Sequence, residues 1–260
     1  MRAAIITIGN EILKGKTINS NAAEIGRLLF FSGYEVWRGL VVPDRREDIG
    51  EAFKEMTEKS DVVVSTGGLG PTFDDITVES FASEFRLPLV LDREVYEQIK
   101  FNSSRRGLEM TKEREKMAYI PEGASVIKNT VGTAPGIFLK IKECKLFILP
   151  GVPAEMRSML PYVKDAIRLN DSFYVEQSVI LEGIFEATLA PFISELMKKY
   201  GDSIYIKTHP SLSPERGESH IEVEISAHSS EKKEAESLVK SVIEDVNGIA
   251  RKLTGKSHPS

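Results

Sequence analysis

A chain of 260 residues has room for one large domain or two ordinary ones, and its net charge of −5 argues against a dedicated nucleic-acid binder. With 41% hydrophobic and 28% charged residues the composition is globular, and the single Cys144 excludes an intrachain disulfide and fits a reducing compartment. The apolar start ends at Glu11, too early for a signal peptide, and no apolar run reaches the roughly 18 residues of a membrane span, so we expect a cytoplasmic protein without membrane contact.

The first part of the chain alternates strand-like and helical segments. Ala3–Ile8 is a near-continuous apolar run, which is typical of a strand buried on both faces. Asn21 and Glu24 resemble a capping box and predict the start of the following helix. Further strands are predicted over 35–42, 61–65, 125–128, 136–141 and 146–149, and further helices over 44–56, 76–85, 93–105, 112–119 and 154–168. This alternation predicts an α/β fold of three layers, a mostly parallel sheet with helices on both faces.

The last third of the chain has a different pattern and predicts a second domain. Strand and helix signals follow in the order β-α-β-β-α, over 173–181, 186–200, 203–208, 219–227 and 231–253. This region contains 10 basic and 15 acidic residues, whereas the first 168 residues are neutral. We place the boundary at the polar segment Leu169–Ser172, which gives an α/β domain over 1–168 and a small α+β domain over 169–260.

Three unusual segments follow predicted strands of the first domain. They are Gly9–Gly15, the glycine loop Gly67–Asp75, and the pair Asn129–Gly136 with Pro150–Met156. Ligands of parallel α/β sheets bind beyond the carboxyl ends of the strands. We therefore expect these segments to form one cleft, lined by backbone amides, carboxylates and a lysine.

The glycine loop is the most informative of these segments. Gly67, Gly68 and Gly70 leave their amides open to a ligand, as in anion sites that consist of backbone N–H groups. Asp74 and Asp75 would repel a phosphate unless a divalent cation such as Mg²⁺ or Mn²⁺ lay between their carboxylates and the phosphate. The alternative is that one aspartate simply caps the next helix. The loop matches neither a Walker A sequence nor G-x-G-x-x-G.

Further candidates flank the glycine loop in the predicted sheet. Asp44 can supply another carboxylate, although Asp44 and Glu47 also have the spacing of a capping box. Glu11 can hold a metal-bound water and Lys14 a phosphate, but each is also an ordinary residue of a strand–helix loop.

In order and spacing, these motifs resemble the CinA (competence/damage-inducible protein) family. The segments that carry the resemblance are GNEILKG (9–15), GGLGPTFDD (67–75), NTVGTAPG (129–136) and PGVPAEM (150–156). The resemblance implies a first domain similar to the molybdopterin-binding domain of MogA, MoaB and MoeA, and a KH-like second domain. Asp75 matches the aspartate that closes the glycine motif in that branch, and Asp44 falls at its second acidic position.

The resemblance also implies a metal-dependent ADP-ribose pyrophosphatase, and hydrolysis of a nucleoside diphosphate sugar is our leading hypothesis. Asp75, Asp74 and Asp44 would hold Mg²⁺, Mn²⁺ or Co²⁺, and the amides of Gly67, Gly68 and Gly70 would stabilise the transition state. The remaining candidates are Thr72 and Lys14 for the phosphates, Glu11 near the metal, and Asn129, Thr133 and Glu155 for ribose or base. Asn10 and Asn19 stand where the family often has aspartate, which reduces the negative charge near the metal.

Two other functions remain open. The same fold serves molybdopterin binding or adenylylation, although Leu69 stands where that branch usually has threonine. The protein could instead be a non-catalytic nucleotide-binding or interaction module. A region of net charge −5 without a Gly-x-x-Gly loop does not favour RNA binding by the second domain, for which a role in dimerisation is the better prediction. We expect a homo-oligomer, a dimer or trimer, and no deamidase activity, because the family's nicotinamide-nucleotide deamidase domain does not occur before Ser260.

Overall fold

The computed structural model describes residues 1–169, 173–212 and 219–255. The chain divides into two compact units, each with its own apolar core. One contains Met1–Phe30 and Tyr34–Arg168, and the other contains Phe31–Gly33 and the residues from Leu169 onward. Most of the predicted boundary segment Leu169–Ser172 lies outside the described residues. None of the helices described combines the length and apolar character that a membrane span requires.

The first unit contains a six-stranded sheet with the strand order β2-β1-β3-β8-β7-β6. Strands β2, β1, β3 and β8 are parallel, whereas β7 and β6 run antiparallel to their neighbours. A separate antiparallel pair joins β4 to β5. The predicted α/β fold with a mostly parallel sheet is thereby confirmed. The strands are β1 (Arg2–Ile8), β2 (Glu35–Val42), β3 (Val62–Thr66), β4 (Leu89–Leu91), β5 (Tyr119–Pro121), β6 (Ser125–Ile127), β7 (Gly136–Ile141) and β8 (Cys144–Leu149).

The helices of this unit cover the sheet and explain why its central strands are apolar on both faces. All five residues of β3 are buried, as are the last six of β1. The helices are α1 (Asn10–Leu13), α2 (Ser20–Phe31), α3 (Arg46–Lys59), α4 (Thr77–Phe85), α5 (Arg93–Ser104), α6 (Lys112–Glu115) and α7 (Pro153–Ala166), with a 3₁₀ turn at Lys116–Ala118.

The start of α2 differs from the prediction. Asn19 Oδ1 accepts a hydrogen bond from Ala22 N at 3.1 Å and so caps the first turn. The capping-box role predicted for Asn21 is wrong, because its side chain points into the protein and bonds to Thr66 and Gly151 instead.

The arrangement of parallel strands determines where the loops meet. The connection from β1 leads to β2 on one side, and the connection from β3 leads towards the other side of the sheet. The carboxyl ends of β1, β2, β3 and β8 therefore lie at one edge, with a crevice between β1 and β3. Because β7 is antiparallel to β8, its first residue, Gly136, lies at the same edge.

The described residues of the second unit form a three-stranded antiparallel sheet with the order β10-β11-β9 and two helices. Its elements follow the predicted β-α-β-β-α order and form a separate core, in which Val223, Ile225 and Val242 are completely buried. They are β9 (Phe173–Glu182), α8 (Glu186–Tyr200), β10 (Ile204–Leu212), β11 (Ser219–Ser229) and α9 (Lys232–Thr254), with a 3₁₀ turn at Gly201–Ser203.

Candidate functional site

The three predicted loop segments meet at one cleft of about 720 Å³ at the carboxyl edge of the large sheet. Its volume falls within the usual range of small-molecule sites, roughly 300–1,000 Å³. The predicted site residues that line it are Glu11, Asp44, Gly67, Gly68, Gly70, Thr72, Asp74, Asp75, Thr133 and Glu155. The cleft lies within the first unit alone.

Two glycines let the loops after β1, β3 and β8 approach each other closely. Gly67 has φ of +109°, and a Cβ atom there would lie 2.1 Å from the carbonyl oxygen of Ile8. A Cβ atom on Gly151 would lie 3.3 Å from the Cα of Gly67. The three loops therefore touch through their backbones, which no side chain at position 67 would permit.

The three glycine amides of the loop have different roles. Gly67 N donates to Leu149 O at 3.0 Å, so this amide is not available to a ligand and the transition-state role predicted for it is wrong. The N–H groups of Gly68 and Gly70 have no backbone acceptor among the residues described. Behind the loop, Thr77 Oγ1 donates to Gly67 O at 2.9 Å and Thr77 N to Gly68 O at 3.2 Å. The loop is thus fixed from behind while two amides remain open to ligands.

Neither Asp74 nor Asp75 caps the following helix. Helix α4 begins at Thr77 and has no side-chain cap. Instead, Thr72 Oγ1 lies 2.5 Å from Asp74 Oδ1 and 2.6 Å from Asp75 Oδ2, and Thr72 N also donates to Asp75 Oδ2 at 2.8 Å. The hydrogen bond from Thr72 keeps the pKa of Asp74 below its usual value. Lys116 Nζ holds the backbone of the same turn by donating to Thr72 O and Asp75 O.

Asp44 does not cap α3, the helix that follows it. Helix α3 begins at Arg46 without a side-chain cap, and Asp44 Oδ2 accepts a hydrogen bond from Asn10 N at 2.8 Å. Burial raises the pKa of this half-buried carboxyl, and the charges of Glu11 and Asp74 raise it further, against the hydrogen bond from Asn10. The aspartate therefore joins the loops after β1 and β2 and lies close to two other acids of the cleft.

The described carboxylates of the cleft do not form a closed protein cage for a metal ion. Within residues 1–169, 173–212 and 219–255, no group of three or more His, Cys, Asp or Glu side chains is arranged to hold a metal ion. Asp75, Asp74 and Asp44 are therefore not arranged as a complete set of three ligands. Mg²⁺ commonly uses one or two carboxylates, several waters and the phosphates of a substrate. The negative charges of Glu11 and Asp74 repel the Asp44 carboxylate, and a bound cation would reduce this repulsion.

The 129–136 segment is ordered mainly by Asn129. Its Oδ1 accepts from Val131 N at 3.0 Å and Gly132 N at 2.7 Å, and its Nδ2 donates to Ala134 O and Glu155 Oε2. Asn129 is buried and does not line the cleft, so the predicted contact with ribose or base is wrong for this residue. Thr133 and Glu155 do line it, and the Glu155 carboxylate lies directly over Gly132, where a Cβ atom would approach within 2.1 Å.

The basic residues of the cleft differ from the predicted one. Lys14 is exposed at the end of the short helix α1 and does not line the cleft, so a phosphate contact from it is not supported. Instead Arg106, after α5, and Arg114, in α6, line the cleft. The polar sequence NSSRRG at 102–107 was the one signal that could have indicated Arg106, and no local signal marks Arg114.

Asn21, like Arg106 and Arg114, was not predicted as part of the site. Its Nδ2 donates to Thr66 Oγ1 at 3.0 Å and to Gly151 O at 2.8 Å, and Thr66 Oγ1 donates to Pro150 O at 2.8 Å. This network fixes the glycine loop to the loop after β8. Asn21 Oδ1 is buried and has no hydrogen-bond partner within the part of the chain that the structure describes.

Comparison with known proteins gives matches over both units. The family described as "Probable molybdopterin binding domain" matches residues 4–168. The chain is 46% identical to a protein of Caldivirga maquilingensis over 97% of this chain and 98% of the relative. It is 41% identical to a protein of Thermoplasma volcanium over 96% of each chain. The solved structure "The crystal structure of the protein CinA with unknown function from Thermoplasma acidophilum" is 47% identical and covers 65% of this chain and 100% of that chain, with a TM-score of 0.62.

Proposed function

This chain belongs to the family described as "Probable molybdopterin binding domain". We propose that its cleft binds a nucleoside diphosphate sugar and hydrolyses the diphosphate with the help of a divalent cation. The substrate that the CinA resemblance implies is ADP-ribose, which water would split into AMP and ribose 5-phosphate. The observation that supports this proposal is the position of Asp44 and Asp74 in the same cleft as the open amides of Gly68 and Gly70.

The proposed reaction uses two kinds of groups in the cleft, backbone amides that donate hydrogen bonds and carboxylates that would hold the cation. The amides of Gly68 and Gly70 donate to phosphate oxygens, and because the loop is already fixed by Thr77 they need little reorganisation. Asp74 and Asp44 would hold the cation, together with water and the phosphates of the substrate. A bound cation would supply neutralisation of the phosphate charge and a more acidic water.

Turnover of ADP-ribose by the full chain tests this proposal. The protein is incubated with ADP-ribose and Mg²⁺, Mn²⁺ or Co²⁺, and AMP is quantified by chromatography. We expect AMP to form, and Asp44→Asn and Asp74→Asn to lower the rate at least about tenfold each. Asp48→Asn is the matched control, because Asp48 lies near Asp44 but pairs with Arg45 and does not line the cleft. No AMP with any cation, or full activity in both cleft variants, rejects the proposal.

The family match favours a second candidate, binding or adenylylation of molybdopterin. The cleft could accept the phosphate of a pterin at the same amides, so the two functions differ in ligand rather than in place. A competition experiment with a fluorescent ADP analogue distinguishes the two functions. If molybdopterin displaces the analogue at a lower concentration than ADP-ribose does, and no AMP is released from ADP-ribose, the second function replaces the first. The expected dimer or trimer stays a prediction, which light scattering after size exclusion checks.

A further inference from the structure

Two arginines contribute positive charge to a cleft whose sequence-predicted charges are mainly acidic. Arg106 follows the end of α5, and Arg114 belongs to the short helix α6. Both line the same cleft as Asp74 and Gly68, although they come from helical segments and not from the loops that follow the parallel strands. The cleft therefore has a basic part that comes from a different region of the chain than its acidic part.

Neither arginine is paired with an acid of the cleft. Among the described residues, no salt bridge within 4.0 Å involves Arg106 or Arg114. Arg114 Nη1 donates to Glu109 O at 2.6 Å, which orients the guanidinium and leaves its other N–H groups available. By contrast, the exposed Arg157 forms three hydrogen bonds to the Glu24 carboxylate.

A guanidinium with free N–H groups in a cleft is suited to a phosphate, whose oxygens match its paired donors. The amides of Gly68 and Gly70, which have no backbone acceptor among the residues described, are a second set of donors that lines the same cleft. One phosphate group can occupy the amide site, but a ligand with two linked phosphates can occupy both.

We propose that the cleft has two phosphate subsites, the amides of Gly68 and Gly70 for one phosphate and the guanidinium groups of Arg106 and Arg114 for the second. This inference rests on the proposed function, and it assigns to the arginines the selection of diphosphate ligands over monophosphates. A nucleoside diphosphate or its sugar ester uses both subsites, whereas a nucleoside monophosphate uses only the amides. The arginines are thus specificity residues.

Calorimetric titration of the full chain with ADP and with AMP, both in Mg²⁺, tests the two subsites. The variants are Arg106→Gln and Arg114→Gln. Arg105→Gln is the matched control, because Arg105 is the preceding residue, lies over the ring of Phe101 and does not line the cleft. We expect each cleft variant to weaken ADP binding about tenfold, since one charge-assisted hydrogen-bonded pair is lost. AMP binding should change less than about twofold in both, and the control should leave both affinities unchanged.

Each other result has a distinct meaning. If the wild type binds ADP but the cleft variants bind it equally well, the second subsite is overturned and the proposed function stands. If AMP and ADP weaken by the same factor in variants whose urea unfolding matches wild type, a single phosphate site includes the arginines and the two-subsite scheme is wrong. If wild type binds neither nucleotide, the proposed function fails and this inference fails with it. Arg106→Lys adds a check on geometry, because it keeps the charge but loses the paired donors and should recover only part of the ADP affinity.

Discussion

Replacement of Gly67 by alanine should disrupt the cleft more than its single added methyl group suggests. The new Cβ would lie 2.1 Å from Ile8 O, a backbone atom of the central strand β1 that cannot rotate away. The residue also has φ of +109°, where side chains other than glycine are strained. The loop after β3 must therefore move away from β1, and the contact between Gly67 and Gly151 moves with it.

The expected cost has two parts. The unfavourable φ contributes about 1–3 kcal/mol, and forcing extra volume into a packed contact contributes about another 1–3 kcal/mol. Gly15→Ala is the matched control, because Gly15 has φ of +67° but a Cβ there would meet nothing within 4 Å. Only the backbone part applies to Gly15, at about 1–2 kcal/mol. Gly67→Ala should therefore be less stable than Gly15→Ala by at least about 1 kcal/mol.

Urea unfolding at 25 °C, followed by circular dichroism, measures both variants against wild type. The same samples are titrated with ADP, for which Gly67→Ala should lose affinity and Gly15→Ala should not. Equal stability of the two variants would show that the backbone contact between Gly67 and Ile8 is not a constraint. Unchanged ADP affinity in a folded Gly67→Ala protein would show that the position of this loop does not determine binding.

Two further predictions concern ionisable groups. The folded protein raises the pKa of Asp44 above the ordinary value of 3.8. Ionisation of this carboxyl therefore costs the folded state stability as the pH rises from 3.8 through the raised pKa. Asp44→Asn should be more stable than wild type at pH 7, and equal to it below pH 3.8. A less stable Asp44→Asn at pH 7 in urea unfolding would contradict this sign. Burial raises the pKa of Cys144 to about 12, so a thiol reagent at pH 8 should label the protein only after it is unfolded in urea, and rapid labelling of the native chain would refute the packing around β8.

The sheet and the position of the cleft could be predicted because they depend on local patterns. Ala3–Ile8 and the valine run at 62–64 are too apolar for a half-exposed strand, which required a sheet covered on both faces. Parallel strands in turn bring the loops at their carboxyl ends together. The convergence of Gly9–Gly15 with Gly67–Asp75 therefore followed from the fold class alone, without knowledge of any individual contact.

Contacts between distant parts of the chain could not be predicted in the same way. Asn21 has the residue type and position of a helix-capping residue, yet its partners Thr66 and Gly151 are 45 and 130 positions away. Lys14 follows a loop of the site, but one short helical turn carries it out to solvent. Whether a polar side chain near a strand end points into the cleft depends on tertiary packing, which a local pattern does not contain.

The two sides of the cleft differ in how firmly they are fixed, and this difference bears on function. The glycine loop is joined to β1 through Gly67, to the loop after β8 through Asn21, and to α4 through Thr77, so its amides have their positions before a ligand arrives. Arg106 is exposed and has no such support among the described residues. Donors that stabilise a transition state must be fixed in advance, whereas donors that select a ligand can move to meet it. In the proposed function, the rigid loop would therefore stabilise the transition state and the arginines would select the ligand.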